Sequence, residues 1–440
     1  LCIVTPGEAE ATRFAADLNT LGIPAAVFPA RDYVLRPIEG TAREYEYRRL
    51  AVLGELVGGR LRAVAVPAEA LTQFTTPKED FCANTRTLHA GDTLLRDDLL
   101  AALFGAGYTR RAQVDGPGQF SVRGDIVDIF APDQKMPVRM EFWGDEIDTL
   151  HTFDLTTQRR EDAIDKFYLS PAREVLFGKP ADAAEQLRAF LAKQRGKKKT
   201  AMADCMAADL DLLDGGAVPV NMDKYLAVRY PHPATVLDYF DDPILVAEEP
   251  ASIRESDRAT TYRRGEELKS LILDGVLCAG LDNLYADPSY LWSKTGHYRT
   301  ICAENFARSM PDQPLKDIIN APAHTLPAWN GEVAGLLEDL KPLCDAGYTV
   351  TLLAGTDRAA AGLARDLRDK GILVTTDAAA APAAGLVQVL AGHLSAGCEF
   401  PFAKYALLTG RAFGETSSQK KKRKKAKDCL LYTSPSPRDR

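Results

Sequence analysis

Four consecutive strand candidates, and the short links between them, limit the fold of this chain more than any other sequence feature. The candidates are residues 119–123, 126–130, 138–143 and 147–153. Parallel neighbours need a crossover of about a dozen residues or more, and every link here is shorter. The pattern therefore predicts an antiparallel sheet, whose last two strands are joined by a turn at Gly144-Asp145.

A helical pattern precedes this sheet. Leu95, Leu99 and Leu103 recur at helical spacing, and Asp92 is the predicted helix cap. We therefore predict that residues 84–170 form one α+β module.

The regions on both sides of the module alternate apolar strands with amphipathic helices, as α/β domains do. Residues 1–83 contain strand candidates at 2–4, 25–28 and 63–66, with helices between them. Residues 171–310 are predicted to be the second part of the same lobe, with a helix at 181–193, a basic loop at 195–199 and a strand at 243–246. Residues 311–414 repeat the alternation and are predicted to form a small additional α/β domain.

The charge distribution favours protein partners over nucleic acid. The chain has 54 Lys and Arg against 61 Asp and Glu; residues 420–440 hold nine of these cations and two of these acids, so the remainder carries −14. A broad duplex-binding surface needs clustered cations. The basic run at 420–427 is predicted to belong to a disordered linker over 415–428.

Both ends of the chain are interpreted as incomplete. The first residues form an apolar strand candidate without Met, which predicts that the residues normally preceding this strand are absent. Residues 429–440 are interpreted as a non-native tail, because Cys429–Asp439 resembles a translated sequencing adapter. No apolar run approaches the roughly 18 residues of a membrane span, and no secretory signal opens the chain. The predicted location is therefore the cytoplasm, without a membrane partner.

Residues typical of nucleotide, metal or nucleophile chemistry are not grouped in this sequence. No G-x-x-x-x-G-K-[ST] string occurs, and Gly178-Lys179-Pro180 lacks the first glycine and the hydroxyl of that motif. Residues 145–148 (DEID) resemble a helicase magnesium box, but their place between alternating strands favours a hairpin turn. The eight cysteines form no C-x-x-C pair and the six histidines are dispersed. We therefore predict no catalytic residue, metal ligand or cofactor in this chain, and cysteines that pack as small buried hydrophobic residues.

The segment 138–143 (VRMEFW) contains the most informative side chains. Strand alternation sends Arg139, Glu141 and Trp143 to the face opposite the apolar residues. Arginine and tryptophan are the residue types most enriched in binding hot spots, and Arg123 joins them if Val122 faces the core. The alternative is that Trp143 covers the edge of the sheet or packs under a loop.

Two stretches carry a resemblance to a known family. Phe28–Leu56 (FPARDYVLRPIEGTAREYEYRRLAVLGEL) is similar to the opening domain of bacterial transcription-repair coupling factors, and Gly118–Arg159 resembles the module that they share with UvrB. Glu399–Glu415 is similar to the end of the third domain of the family. The alternatives are a UvrB-type excinuclease subunit, or an ATP-dependent DNA helicase or translocase. UvrB carries a phosphate loop, a tyrosine-rich hairpin and helicase motifs that no segment here resembles, so the coupling factor is the better match.

The resemblance implies a helicase-like α/β lobe without a phosphate loop, an inserted antiparallel module and a small third domain. In this family the module docks UvrA, so that UvrA is recruited to stalled RNA polymerase. Matching the motifs residue by residue places the contact residues at Arg123, Arg139 and Trp143, the last standing where phenylalanine is common. The resemblance also implies that this chain is non-catalytic, and that ATP, magnesium, RNA polymerase and duplex DNA bind to domains beyond residue 428. In the family the carboxyl-terminal domain masks the UvrA surface, which implies an intramolecular partner.

Overall fold

The computed structural model describes residues 1–38, 43–287, 289–306, 315–326, 328–329, 333–381 and 383–410. The predicted linker 415–428 and tail 429–440 lie outside these residues. The chain divides into two compact units, Leu1–Ser309 and Met310–Arg440. Among the described helices, none is long and apolar enough to cross a membrane.

The first unit combines strands and helices throughout its length. Its strands are β1 (Cys2–Thr5), β2 (Ala25–Val27), β3 (Ala63–Pro67), β4 (Arg86–His89), β5 (Thr109–Arg110), β6 (Gln119–Arg123), β7 (Ile126–Phe130), β8 (Val138–Trp143), β9 (Glu146–Phe153), β10 (Arg160–Ala163), β11 (Lys166–Leu169), β12 (Ile244–Glu248) and β13 (Arg299–Ala303). Its α-helices are α1 (Glu8–Thr20), α2 (Glu44–Val57), α3 (Ala68–Leu71), α4 (Lys78–Ala83), α5 (Arg96–Gly105), α6 (Pro180–Ala192), α7 (Gly196–Asp214), α8 (Leu226–Arg229), α9 (Pro250–Leu273) and α10 (Tyr290–Thr295).

A parallel sheet of order β13-β12-β1-β3-β2 forms the lobe. Strand β3 shows how both faces of this sheet are covered. Val64 and Val66 pack in one core with Leu50 of α2, whereas Ala65 packs in a second core with Ala11 of α1. Burial on both faces is typical of parallel strands. Because β12 and β13 follow the module in the chain, they complete a sheet that begins before it.

The helices that follow the module pack around a core of their own. Leu187 of α6 and Met202 and Met206 of α7 are buried in it. One sequence prediction is wrong here, because the basic segment 195–199 is not a loop but begins α7. Gly196 (φ +61°) makes the turn after α6, and the lysines and alanines that follow are good helix formers.

The module consists of a six-stranded sheet of order β10-β9-β8-β7-β6-β5, antiparallel except for the pairing of β5 with β6. Helix α5 covers one face, where Leu99 and Leu103 are fully buried. The predicted cap at Asp92 is wrong, since α5 begins after Leu95. The Asp92 carboxylate instead accepts the backbone N–H of His89 at 2.7 Å and closes the preceding loop.

Buried ion pairs join the end of the module to the lobe. The Glu174 carboxylate accepts Arg49 Nε at 2.6 Å and forms an ion pair with Arg31 Nε at 3.2 Å, and Arg31 Nη1 donates to Asp223 at 2.8 Å. All four side chains are buried. Burial is the largest influence and opposes ionisation of Asp223. The charge and hydrogen bond of Arg31, the charge of Arg43 and the backbone N–H of Val34 together outweigh burial and hold the pKa of this carboxyl below its usual range. The segment after β11 is thereby tied to α2 and to the chain before it.

The second unit contains β14 (His324–Leu326), β15 (Thr349–Leu353), β16 (Val374–Thr375), β17 (Val387–Leu390), β18 (Gly397–Phe400), β19 (Tyr405–Thr409), α11 (Val333–Asp345) and α12 (Asp357–Asp369). Its sheet has the order β14-β18-β19-β15-β17-β16, with the last four parallel. Thr356 caps α12 by accepting the N–H of Ala359 at 3.2 Å. Parallel strands in both units and an antiparallel module in the first confirm the predicted α/β fold class with an α+β insertion.

Candidate partner-binding surface

Strand β8 presents opposite kinds of side chain to the two faces of the module sheet. Val138, Met140 and Phe142 are buried in the core beneath α5. The alternate residues Arg139 and Trp143 therefore lie on the outer face. A bulge in β9 at Asp148, which has no direct partner on β8, leaves this alternation in β8 undisturbed.

Trp143 is exposed over 82% of its surface, an unusual position for the largest aromatic side chain. It pairs with Glu146 at the end of the β8–β9 hairpin. Gly144 has φ +63° and occupies the first position of the two-residue turn, as a type II′ turn requires. The predicted hairpin at 145–148 is therefore confirmed, and the indole neither packs under a loop nor enters the core.

Arg139 shares the outer face with Trp143, but its guanidinium is turned away from solvent. Its side chain is only 10% exposed, and Nε and Nη2 donate to Asp128 at 2.7 and 2.9 Å. Nη1 donates to the backbone oxygen of Gln158 at 3.1 Å, and the guanidinium carbon lies 4.7 Å from the ring centre of Phe153. The outer face is covered here by a small cluster that includes Phe130 and Phe153. Strand alternation predicts only that Arg139 lies on the outer face. It does not predict that this cluster covers the side chain, so alternation alone suggests an exposed arginine.

Arg123 is placed on the same face by its neighbour in β6, because Val122 packs against the core. Its Nη2 donates to Asp128 Oδ2 at 2.5 Å, and its side chain is 46% exposed. The structure thus brings Arg123 and Arg139 together on a single carboxylate. Trp143 lies four residues along β8 from Arg139, at roughly 13 Å for an extended strand.

Asp128 is the member of this group that sequence reasoning missed. It is fully buried on β7, between Ser121 of β6 and Arg139 of β8 in the same row of the sheet. The available signal was a lone carboxylate in the apolar strand IVDIF, since a buried charge is retained only when it is paired. One carboxylate between two guanidiniums leaves this group with a net positive charge.

A further ion pair joins β8 to β10 on the outer face. Arg160 of β10 contacts Glu141 of β8, and Thr149 donates to the same carboxylate at 3.3 Å. The outer face therefore combines an exposed indole with guanidinium groups at its margin, a composition typical of protein interfaces.

The described part of the chain gives little support to a metal site or a phosphate site. It contains no group of three or more His, Cys, Asp or Glu side chains arranged to hold a metal ion. Lys179 and Pro180 cap and begin α6, and Glu8 and Glu10 occupy the first turn of α1, where they would repel phosphate. The prediction of buried cysteines is confirmed for Cys2 and wrong for Cys82, which is exposed.

Comparison with known proteins finds a match for the module. A sequence model of the UvrB interaction domain matches residues 87–175. The transcription-repair-coupling factor of Bacillus subtilis (strain 168) is 25% identical over 434 residues, which cover 96% of this chain and 37% of that protein. Along nearly its whole length the chain is therefore similar to part of a transcription-repair-coupling factor.

Further coupling factors show the same extent of similarity. That of Staphylococcus haemolyticus (strain JCSC1435) is 26% identical over 91% of this chain and 34% of its own length. That of Staphylococcus aureus (strain MRSA252) is 24% identical over the same shares. The chain thus spans about a third of the coupling factors that it matches. All three candidate residues, Arg123, Arg139 and Trp143, fall inside the segment that matches the UvrB interaction domain.

Proposed function

We propose that this chain is a docking scaffold whose module binds UvrA through the outer face of its sheet, with Trp143 as the apolar anchor. The observation that carries the proposal is an indole 82% exposed on a sheet that matches the UvrB interaction domain. Exposure of an apolar ring to water is unfavourable, and burial of the ring in a complex removes this unfavourable contact. A tryptophan side chain offers up to about 250 Å², so burial of the exposed part contributes at most about 5 kcal/mol at 25 cal/mol per Å².

The role of Trp143 is tested by isothermal titration of purified UvrA with the chain. Trp143→Ala is expected to weaken binding by at least about 2 kcal/mol, or roughly 30-fold, as truncation of a hot-spot residue does. Trp143→Phe retains an aromatic anchor and should retain most of the affinity. The matched control is Tyr262→Ala, which removes an aromatic side chain 74% exposed on α9 and should leave binding unchanged. If Trp143→Ala binds as tightly as the parent chain, Trp143 is not part of the site.

The wider role follows the names of the relatives. We propose that the chain serves transcription-coupled repair by bringing UvrA to RNA polymerase, while contacts with RNA polymerase and duplex DNA belong to parts of a coupling factor outside this chain. ATP and magnesium are likewise assigned to a motor outside it, and masking of the module to a carboxyl-terminal domain. The net charge of −14 outside residues 420–440 supports a protein-binding rather than a DNA-binding role.

A further inference from the structure

We propose that a cleft between the module and the lobe binds a small anion through its phosphate group. The cleft has a volume of about 340 Å³, which is within the range of sites for small molecules. Trp143 is not among the residues that line it. The cleft is therefore a second site, and binding there does not depend on the proposed docking function.

The cleft forms where several parts of the first unit meet. Tyr47 of α2 lines it from the lobe, Thr109 of β5 and Gly118 line it from the module, and Arg173 and Val220 come from the segments after β11 and α7. Gly118 has φ +73°, and a Cβ at this position would lie 2.8 Å from Tyr47 Oη, so the module loop approaches the lobe closely. A ligand in the cleft would contact both the module and the lobe.

Three arginines give the cleft its charge. The described residues that line it include Arg43, Arg111 and Arg173, and none of them is an aspartate or glutamate. Arg43 is already bonded, because Nη1 donates to Glu46 Oε2 at 2.7 Å and Nη2 donates to the backbone oxygen of Val220 at 2.6 Å. Arg173 Nη1 lies 3.7 Å from the same Glu46 carboxylate but is buried without a hydrogen bond. One carboxylate thus serves three guanidiniums, which leaves two positive charges unmatched.

Arg111 supplies the donors that are accessible to a ligand. It follows β5, and its backbone N–H donates to the oxygen of Phe120 at 2.8 Å, which fixes the main chain at this position. Its side chain is exposed, and within the described part of the chain its guanidinium has no hydrogen bond or ion pair. The whole planar set of N–H donors on Arg111 is therefore available.

The unmatched charge and the kinds of donor indicate a phosphate group. A phosphate monoester carries about −1.5 to −2 charges near pH 7, which matches the two unmatched positive charges, whereas a single carboxylate carries only one. Guanidinium groups bind phosphate oxygens through two parallel hydrogen bonds. The hydroxyl groups of Tyr47 and Thr109 add further donors, and burial raises the pKa of Tyr47 to about 12, so that its hydroxyl keeps its proton at neutral pH.

The test is isothermal titration of the full chain with inorganic phosphate, with chloride used to keep the ionic strength constant. Saturable binding is expected, together with a rise in the thermal unfolding temperature, because a ligand of the folded state stabilises it. Arg111→Gln is expected to weaken phosphate binding about 10-fold, as loss of a charged hydrogen bond does. Arg111→Lys keeps the charge but loses the two-point bond, so its affinity should be intermediate. The matched control is Arg110→Gln, which removes a neighbouring exposed arginine that does not line the cleft and should leave the affinity unchanged.

Two results would overturn the inference. The first is the absence of saturable phosphate binding at constant ionic strength. The second is an equal loss of affinity in Arg110→Gln and Arg111→Gln, which would show that phosphate responds only to the general surface charge. If Arg111→Gln is unstable without phosphate, Tyr47→Phe provides a second variant, because it removes one donor and keeps the ring. It should weaken binding about 3-fold or more, and an unchanged affinity would also contradict the site.

A parallel titration with a nucleoside monophosphate distinguishes the two sources of a phosphate group. Tighter binding of the nucleoside monophosphate than of inorganic phosphate would support the site and identify a phosphate ester as its ligand. Equal affinities would support the site and identify free phosphate. Because UvrA takes no part in these titrations, their outcome is separate from that of the docking experiment.

Discussion

Replacement of Glu174 by Gln tests whether the buried ion pairs hold the module against the lobe. Glu174 is fully buried and is shared by Arg49, itself fully buried, and Arg31. The amide keeps the shape and one acceptor but removes the charge. Loss of one partner from a buried ion pair costs about 3–5 kcal/mol. Arg31 keeps Asp223 and Arg49 keeps Gln73 at 2.9 Å, so we expect the lower end, about 3 kcal/mol.

The measurement is urea unfolding followed by the fluorescence of Trp292, which packs against the lobe core. Trp143→Phe and Trp329→Phe in every variant remove the other two indoles, so the signal reports on the first unit. The matched control is Glu185→Gln, an exposed carboxylate on α6, which should change the unfolding free energy by less than about 0.5 kcal/mol. A change below about 1 kcal/mol for Glu174→Gln, with an unchanged denaturant slope, would refute the assigned role of this carboxylate.

Two further predictions concern stability. Burial raises the pKa of Asp257 to about 6, so the folded state holds this proton more tightly than the unfolded chain, and stability is lost as the pH rises from about 4 to about 6. Asp257→Asn should therefore raise the unfolding free energy at pH 7 by up to about 3 kcal/mol, a gain that vanishes near pH 4; a gain that is constant with pH would contradict the assignment. Gly118→Ala should cost about 2 kcal/mol or more in thermal unfolding, because φ is +73° and the new Cβ would lie 2.8 Å from Tyr47 Oη. Gly124→Ala, with a similar φ of +62° but open space, should cost only about 1 kcal/mol, and equal costs would exclude the contact with Tyr47.

Much of the fold was predictable because its signals are local. The hairpin of β8 and β9 was evident from a glycine turn between alternating strands, and the parallel strands of both units from apolar runs separated by helices. The secondary-structure predictions that were wrong concern segments whose residues are compatible with more than one local structure. Residues 195–199 read as a basic loop, yet the same lysines are good helix formers, and one glycine allows the chain to turn and start α7 at once.

For the candidate surface, the sequence by itself determined which side chains share a face of the sheet, since alternation in β8 places Arg139 and Trp143 opposite the apolar core. Only the tertiary structure decided which of them meets solvent. Phe130, Phe153 and the chain near Gln158 cover one end of the outer face, so Arg139 turns inward to Asp128 while Trp143, beyond that cover, is exposed. Periodicity reports the direction of a side chain relative to its own strand, whereas burial depends on what distant parts of the chain place above it. The pairing of Asp128 with two arginines was also decided only by the tertiary structure. These arginines lie on neighbouring strands, and no single segment specifies the register of those strands.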